Sequence, residues 1–157
     1  MTDPLNAARR HFNPDITVAT VVCQAQRFLV VEETVHGRLL INQPAGHLEA
    51  GESLLQAAVR ETLEESGWDV DLDAYLGTYL WTSPGGRTFL RFAFVGHCLR
   101  HHPERTLDQG VERALWLRRD ELAAVGERLR SPLVLRAVDD YLGGQRHPLD
   151  ALHQVTA

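Results

Sequence analysis

The stretch 46-GHLEAGESLLQAAVRETLEESGW-68 decides how this chain is read. Leu54, Leu55, Ala58, Val59, Thr62 and Leu63 recur at helical spacing, which predicts a helix over 52–66 that Gly67 stops. With Leu54 at zero and about 100° per residue, these apolar positions fill an arc from 0° to about 180°, the face expected to pack on a sheet. Glu64, Glu61 and Glu65 fall at roughly 280°, 340° and 20°, a carboxylate stripe along one edge of that face. Two carboxylates about 4 Å apart repel by roughly 4 kcal/mol at an effective dielectric near 20. Without a cation between them, at least one should hold its proton above the usual carboxylate range.

A divalent ion reverses the sign of that repulsion. Several carboxylates with room for water and phosphate oxygens suit Mg²⁺ or Mn²⁺. No thiolate or histidine lies in the stripe, so zinc is disfavoured. Taken alone, a solvated helix face accounts for the glutamates as well, with Arg60 pairing to Glu64 at i,i+4. The preceding loop shifts the balance. Gly46 and Gly51 bracket 47-HLEA-50, and glycine permits the close backbone approach that aims a main-chain carbonyl at the stripe.

Outward from this element the chain alternates strand and turn signals. The β-branched run 16-ITVATVVC-23 and its partner 28-FLVVEE-33 flank a turn at 24–27, and His36-Gly37 turns into another short strand. Beyond Gly67, a strand is expected from Val70 to Thr82, then the turn 83-SPGG-86 and the alternating strand 88-TFLRFAFVGHC-98. Residues 99–110 read as a polar loop, 111-VERALWL-117 as a strand and 119-RDELAAV-125 as a short helix. Ser131 and Pro132 open a last helix that ends at Gly143-Gly144. Strands with one helix in the middle and another at the end predict an α/β sandwich in a single domain.

The bulk numbers agree with one soluble domain. At 157 residues with 44% hydrophobic and 24% charged content, the chain can bury one sizeable core and is not disordered. No apolar run approaches the roughly 18–20 residues of a membrane span, and 1-MTDPLNAARRHFNPD-15 lacks the apolar segment of a signal peptide. Cys23 and Cys98 lie in apolar strands, which predicts buried free thiols in a reducing cytoplasm. Net charge is −5 and every one of the 16 basic residues is arginine. An acidic chain without a basic stripe argues against nucleic-acid binding. Positive charge for a phosphate ligand must therefore be local, from arginine or a bound metal.

Gly46, Glu52, Arg60, Glu61, Glu64, Glu65, Gly67 and Trp68 match the Nudix box, G-x5-E-x7-R-E-U-x-E-E-x-G-U with U bulky and apolar, and depart from it only at Thr62. Beyond the box, 28-FLVVEET-34, 42-NQPAGHLEA-50, 89-FLRF-92, 131-SPLV-134 and 144-GQRHPL-149 resemble the NudJ-type phosphatases of that superfamily. The resemblance runs from about Ile16 to Leu149. It leaves an N-terminal extension (1–15), a Nudix domain (16–150) and a short tail (151–157).

The resemblance implies a Nudix αβα sandwich with a mixed sheet, and Mg²⁺-dependent hydrolysis of a phosphoanhydride. Glu61, Glu64 and Glu65, with the carbonyl of Ala45, would hold the metal. Arg60 would orient the glutamates, and Glu52 would bond to the loop. Glu112 matches the position of an acid recruited from outside the box. Glu61 or Glu112 is the candidate general base, with Glu65 mainly a ligand. For substrate, Gln43 could read polar edges of a base, Trp81 could stack on a ring, and Arg91 could bind a distal phosphate. The expected substrates are nucleoside tri- and diphosphates or a thiamin-type pyrimidine pyrophosphate, acted on by a monomer or homodimer. A sugar-linked nucleoside diphosphate of the ADP-ribose type, weakly suggested by Pro84, and a non-catalytic nucleotide-binding module are the competing readings.

Overall fold

The computed structural model describes residues 12–155. Most of the N-terminal extension and the last two residues of the tail fall outside that range, and Asp15 already belongs to the first strand. The strands are β1 (Asp15–Gln24), β2 (Arg27–Val35), β3 (Arg38–Asn42), β4 (Ala45–His47), β5 (Trp68–Thr82), β6 (Thr88–His101) and β7 (Val111–Leu117). The helices are α1 (Leu54–Ser66), α2 (Arg119–Val125) and α3 (Leu133–Leu142). Two-residue turns at Ala25-Gln26 and His36-Gly37, all four residues at positive φ, close the β1–β2 and β2–β3 hairpins.

The sheet runs β3-β2-β1-β6-β5, with β1 and β6 parallel and the other pairs antiparallel. It forks at β1. Only Cys23 and Gln24 pair with β2, while Thr17–Ala19 pair with β4 and β2 diverges to pair with β7. The fork opens a cleft between β4 and β2. The short strand β4 carries no periodicity of its own and is not evident from the sequence; it forms because Pro44 to His47 lie along the exposed edge of β1.

Side-chain alternation along β1 sends Val18 and Thr20 toward α1, and Val21 toward α3. Val18, Leu72 and Phe94 pack on Ala57 and Ala58 of α1. On the other face Val21, Leu76 and Val95 pack with Leu122 of α2 and Val134, Ala137 and Val138 of α3. This is the expected αβα sandwich with a mixed sheet. Cys23 and Cys98 are free thiols, half-buried rather than fully buried. Among the described residues no helix is long and apolar enough to cross a membrane.

The expected buried face of α1 is rotated. Ala57, Ala58, Glu61, Thr62, Glu65 and Ser66 are buried, whereas Leu54, Leu55, Val59 and Leu63 are only partly covered. Small residues at 57 and 58 let the helix approach the sheet closely, and this turns the carboxylates inward. Thr62, the one departure from the box, is fully buried with its hydroxyl 2.9 Å from that of Thr20 and donating to the Ala58 carbonyl at 2.7 Å. A polar residue there is matched by a polar residue on β1.

Candidate active site

Ser53 caps α1, accepting from the Gln56 N–H at 3.1 Å while the Gln56 side chain accepts from the Ser53 N–H at 2.8 Å. Gly67 ends the helix in the left-handed conformation at φ 72°. Between these caps, Arg60 ties the acidic residues together. Its guanidinium donates to both Glu52 oxygens at 2.7 and 2.9 Å, to Glu61 at 2.9 Å, to Glu64 at 3.0 Å and to the His47 carbonyl at 3.1 Å. Glu52 in turn accepts from the Glu49 N–H at 2.8 Å, which holds the loop. The bond from Arg60 keeps the Glu52 carboxyl below the usual range, although burial opposes it. Arg60 itself is held charged, chiefly by Glu52.

The inner carboxylates behave differently. Burial raises the Glu61 pKa, with Arg60 opposing and Glu64 and Asp108 adding to the rise. Burial also drives Glu65 up to about 8, only partly offset by the Ala45 N–H that donates to it at 2.8 Å, with Glu33, Glu61 and Asp108 repelling its charge. Ala45 thus meets the stripe through its N–H. Gly46 lies directly under Glu61: a Cβ there would sit 2.1 Å from the carboxyl carbon.

From outside the helix, the fold brings Asp108 rather than Glu112 beside Glu61 and Glu64. Glu61, Glu64 and Asp108 offer oxygens that all lie within 4.8 Å of one another. Glu65, which accepts from the Ala45 N–H, lies outside this cluster, as does Glu112, which is exposed on β7 and accepts from the Thr34 hydroxyl at 2.8 Å. Asp108 sits in the polar loop after β6, where no periodic signal marks it. Its N–H donates to the Glu64 carbonyl at 3.0 Å, so the loop folds onto the end of α1. The pair His101-His102 anchors the start of this loop. His101 stacks on Trp68 at 4.5 Å, and His102 lies 2.6 Å from Asp69. Replacing Asp108 with Asn should weaken activation by divalent cation about 10-fold or more, whereas Glu112→Gln should change it less than about twofold. Titration of activity with Mg²⁺ separates the two, and equal effects would remove Asp108 from the centre.

An oxygen-only set of close carboxylates fits a hard divalent cation: its mutual repulsion and raised pKa values are what a cation would relieve. The linkage has a definite sign. Glu65 holds a proton in the fold up to about 8 but loses it near 4.5 when free, so the native state binds more protons between these values. Stability of the metal-free protein should therefore fall as pH rises through that window. Mg²⁺ should stabilise little at about pH 5.5 and by on the order of a few kcal/mol at about pH 8.5. Thermal melts with Mg²⁺ and with chelator at both pH values test this, and a pH-independent difference would refute it.

Beside the acidic centre, in the fork of the sheet, is a cavity of about 220 Å³. Ala45, Gly46 and His47 form its border with α1, and Thr17, Glu33, Asn42, Trp81, Arg91 and Arg130 contribute to its walls. Arg91 is 8% exposed, and among the described residues its Nε and Nη1 have no hydrogen-bond partner. Burial pulls its pKa down to about 10, against the attraction of Glu65 and Glu33. Trp81 stacks on Phe89 with ring centres 5.6 Å apart and planes at 22°. Of the three expected substrate contacts, the fold brings Trp81 and Arg91 to one cavity. Gln43 is not among its walls: only 1% exposed, it donates to the Val134 carbonyl at 2.7 Å and ties the turn before β4 to α3.

The NUDIX domain family model matches residues 13–137. Phosphatase NudJ of Escherichia coli K12 is 40% identical over 141 residues, covering 90% of this chain and 92% of that protein. A NUDIX hydrolase from Nitrosomonas europaea superposes with a TM-score of 0.89 at 44% identity, covering 91% of this chain and 98% of that one. An ADP-ribose pyrophosphatase from Streptococcus suis shares the fold at a TM-score of 0.65 and 16% identity, over 87% of this chain and 96% of that one. The box on α1, the length of the match and the identity to these relatives together place the chain in the NUDIX family of hydrolases, enzymes that act on phosphorus-containing anhydrides.

Proposed function

We propose that this chain is a Mg²⁺-dependent phosphatase of the cytoplasm. It releases orthophosphate from nucleoside tri- and diphosphates and from small pyrimidine pyrophosphates such as hydroxymethylpyrimidine pyrophosphate or thiamin pyrophosphate. The observation that carries this reading is the junction at Ala45–Gly46. On one side stands the carboxylate cluster, and on the other the cavity with the unpaired guanidinium of Arg91. Buried guanidinium N–H groups without acceptors are costly, and an anionic phosphate group supplies them. The name of the 40% identical relative, a phosphatase, supports orthophosphate as the product.

Glu61, Glu64, Glu65 and Asp108 would hold Mg²⁺ (or Mn²⁺), which when bound neutralises charge on phosphate oxygens and lowers the pKa of water. The chain's own residues do the rest. Arg91 binds a non-bridging oxygen and holds the phosphoanhydride against the acidic centre. Trp81 stacks on the organic group. Glu61, beside the metal position, accepts the proton of the attacking water. Arg60 fixes the rotamers of Glu52, Glu61 and Glu64, so their positions are set before substrate arrives.

A panel of phosphoanhydrides, with and without Mg²⁺, tests the reading when every product is identified. Orthophosphate from nucleoside di- and triphosphates, only with the metal, is the expected result. AMP from ADP-ribose as the sole product would replace it with a pyrophosphatase. No hydrolysis of any member would leave a binding module.

A further inference from the structure

Arg91 is not the only residue of the cavity with unpaired polar atoms. Among the described residues, Thr17 Oγ1, Glu33 Oε1 and Asn42 Oδ1 are also buried and without hydrogen-bond partners. Each such orphan costs about 1–3 kcal/mol, and four residues of this kind around one cavity mark a place where a ligand brings partners. The Arg91 N–H groups suit a phosphate. The Glu33 and Asn42 oxygens do not, because both accept, and the carboxylate repels an anion. Arg130 lies 3.5 Å from Glu33 Oε1, an ion pair without hydrogen-bond alignment. What this wall lacks is an N–H donor.

The strand register places the two acceptors together. Val31 pairs with Asn42 and Glu33 pairs with Leu40, so Glu33 and Asn42 are diagonal neighbours on one face of the β2–β3 ladder. The stacked Trp81 and Phe89 form another part of the lining, which favours a flat ring. At about 220 Å³ the cavity is smaller than the roughly 300 Å³ at the low end of pockets that enclose drug-sized ligands. It has room for one ring, not for a whole nucleotide.

A single exocyclic amino group carries two N–H bonds, one for each acceptor. We propose that Glu33 and Asn42 are the specificity-determining pair of this enzyme, reading the exocyclic amino group of a single-ring heterocycle that stacks on Trp81. The inference rests on the proposed function for the orientation of the substrate, with its phosphates toward Gly46. An oxo group at the same position would leave the Glu33 carboxylate, which can only accept, unpaired whichever way the Asn42 amide turns, and a polar site rejects such an analogue far more strongly than an apolar one.

CMP and UMP differ at this edge of the ring and contain no anhydride, so their equilibrium binding to the full chain tests recognition apart from hydrolysis. Calorimetry without metal should give CMP at least about 10-fold tighter binding than UMP. In Glu33→Gln the side-chain amide can turn a donor toward an oxo group, so the ratio should fall to about threefold or less. Asn42→Leu, checked as folded by thermal melting, should lower the ratio as well. The kcat/KM values for CDP and UDP with Mg²⁺ should follow the same order. Equal affinities for CMP and UMP, no measurable binding of either at millimolar concentration, or an unchanged ratio in Glu33→Gln would overturn the proposal. Hydrolysis of CDP and UDP at equal rates with equal CMP and UMP binding would remove this pair alone. Selective CMP binding without hydrolysis of any anhydride would remove the proposed function and leave the pair standing.

Discussion

Glu61→Gln and Glu65→Gln are each expected to lower turnover by at least about 10²-fold while leaving the fold intact. The two substitutions remove charge but keep the shape and an acceptor oxygen. Glu61 can still accept from Arg60, and position 65 can still accept from the Ala45 N–H. Stability should move the other way. Burial already raises both carboxyl pKa values, so a neutral amide relieves a cost at pH above about 8, where Glu65 would otherwise ionise. The metal-free Glu65→Gln protein should therefore melt higher than the parent at alkaline pH, and gain less from Mg²⁺. Steady-state rates with melting curves separate loss of catalysis from loss of fold. Rates like the parent's in both variants would remove the acidic centre from the mechanism.

A single added methyl should act almost as strongly. In Gly46→Ala the new Cβ would fall 2.1 Å from the Glu61 carboxyl carbon and 2.2 Å from each of its oxygens. The obstruction is the far end of a flexible side chain, so the fold can accommodate it by swinging Glu61 aside. That movement takes the carboxylate away from Glu64 and Asp108. Displacement of a reacting group by about 1 Å can cost about 10²-fold, so kcat should fall by about that factor with only a modest change in melting temperature. A variant that unfolds would show backbone crowding instead, and one with the parent's kcat would show that Glu61 can work from another position.

The helix α1 and its carboxylates were legible from residue spacing, because a period of about 3.6 and the Ser53 and Gly67 signals are local properties of the chain. Parity alone left Arg91 open, because 88-TFLRFAFVGHC-98 is apolar on both faces; the structure puts it in step with Ala93 and Val95, which are buried on the α3 face of β6. The direction of α1 was less legible. Hydrophobicity favoured the leucines as its inner face, but close packing selected the two alanines, since a helix approaches a sheet most closely through small side chains.

Asp108, Gln43 and Glu112 show why the remainder could not be read. A loop residue has no period, and Asp108 reaches the acidic centre only because its N–H caps the Glu64 carbonyl, a contact across 44 positions of sequence. Glu112 stands on β7, whose pairing with β2 turns it to solvent beside Thr34. Gln43 looks like a polar turn residue until α3 covers it and Val134 accepts its amide hydrogen. The sequence by itself determined the α/β class, the carboxylate helix and the family. The approach of Asp108 to Glu61 and Glu64, the inward turn of Glu61, and the cavity with its unpaired donors and acceptors were decided by the tertiary structure. Spacing along a chain specifies which residues share a face, but charge, burial and hydrogen-bond satisfaction depend on which faces meet.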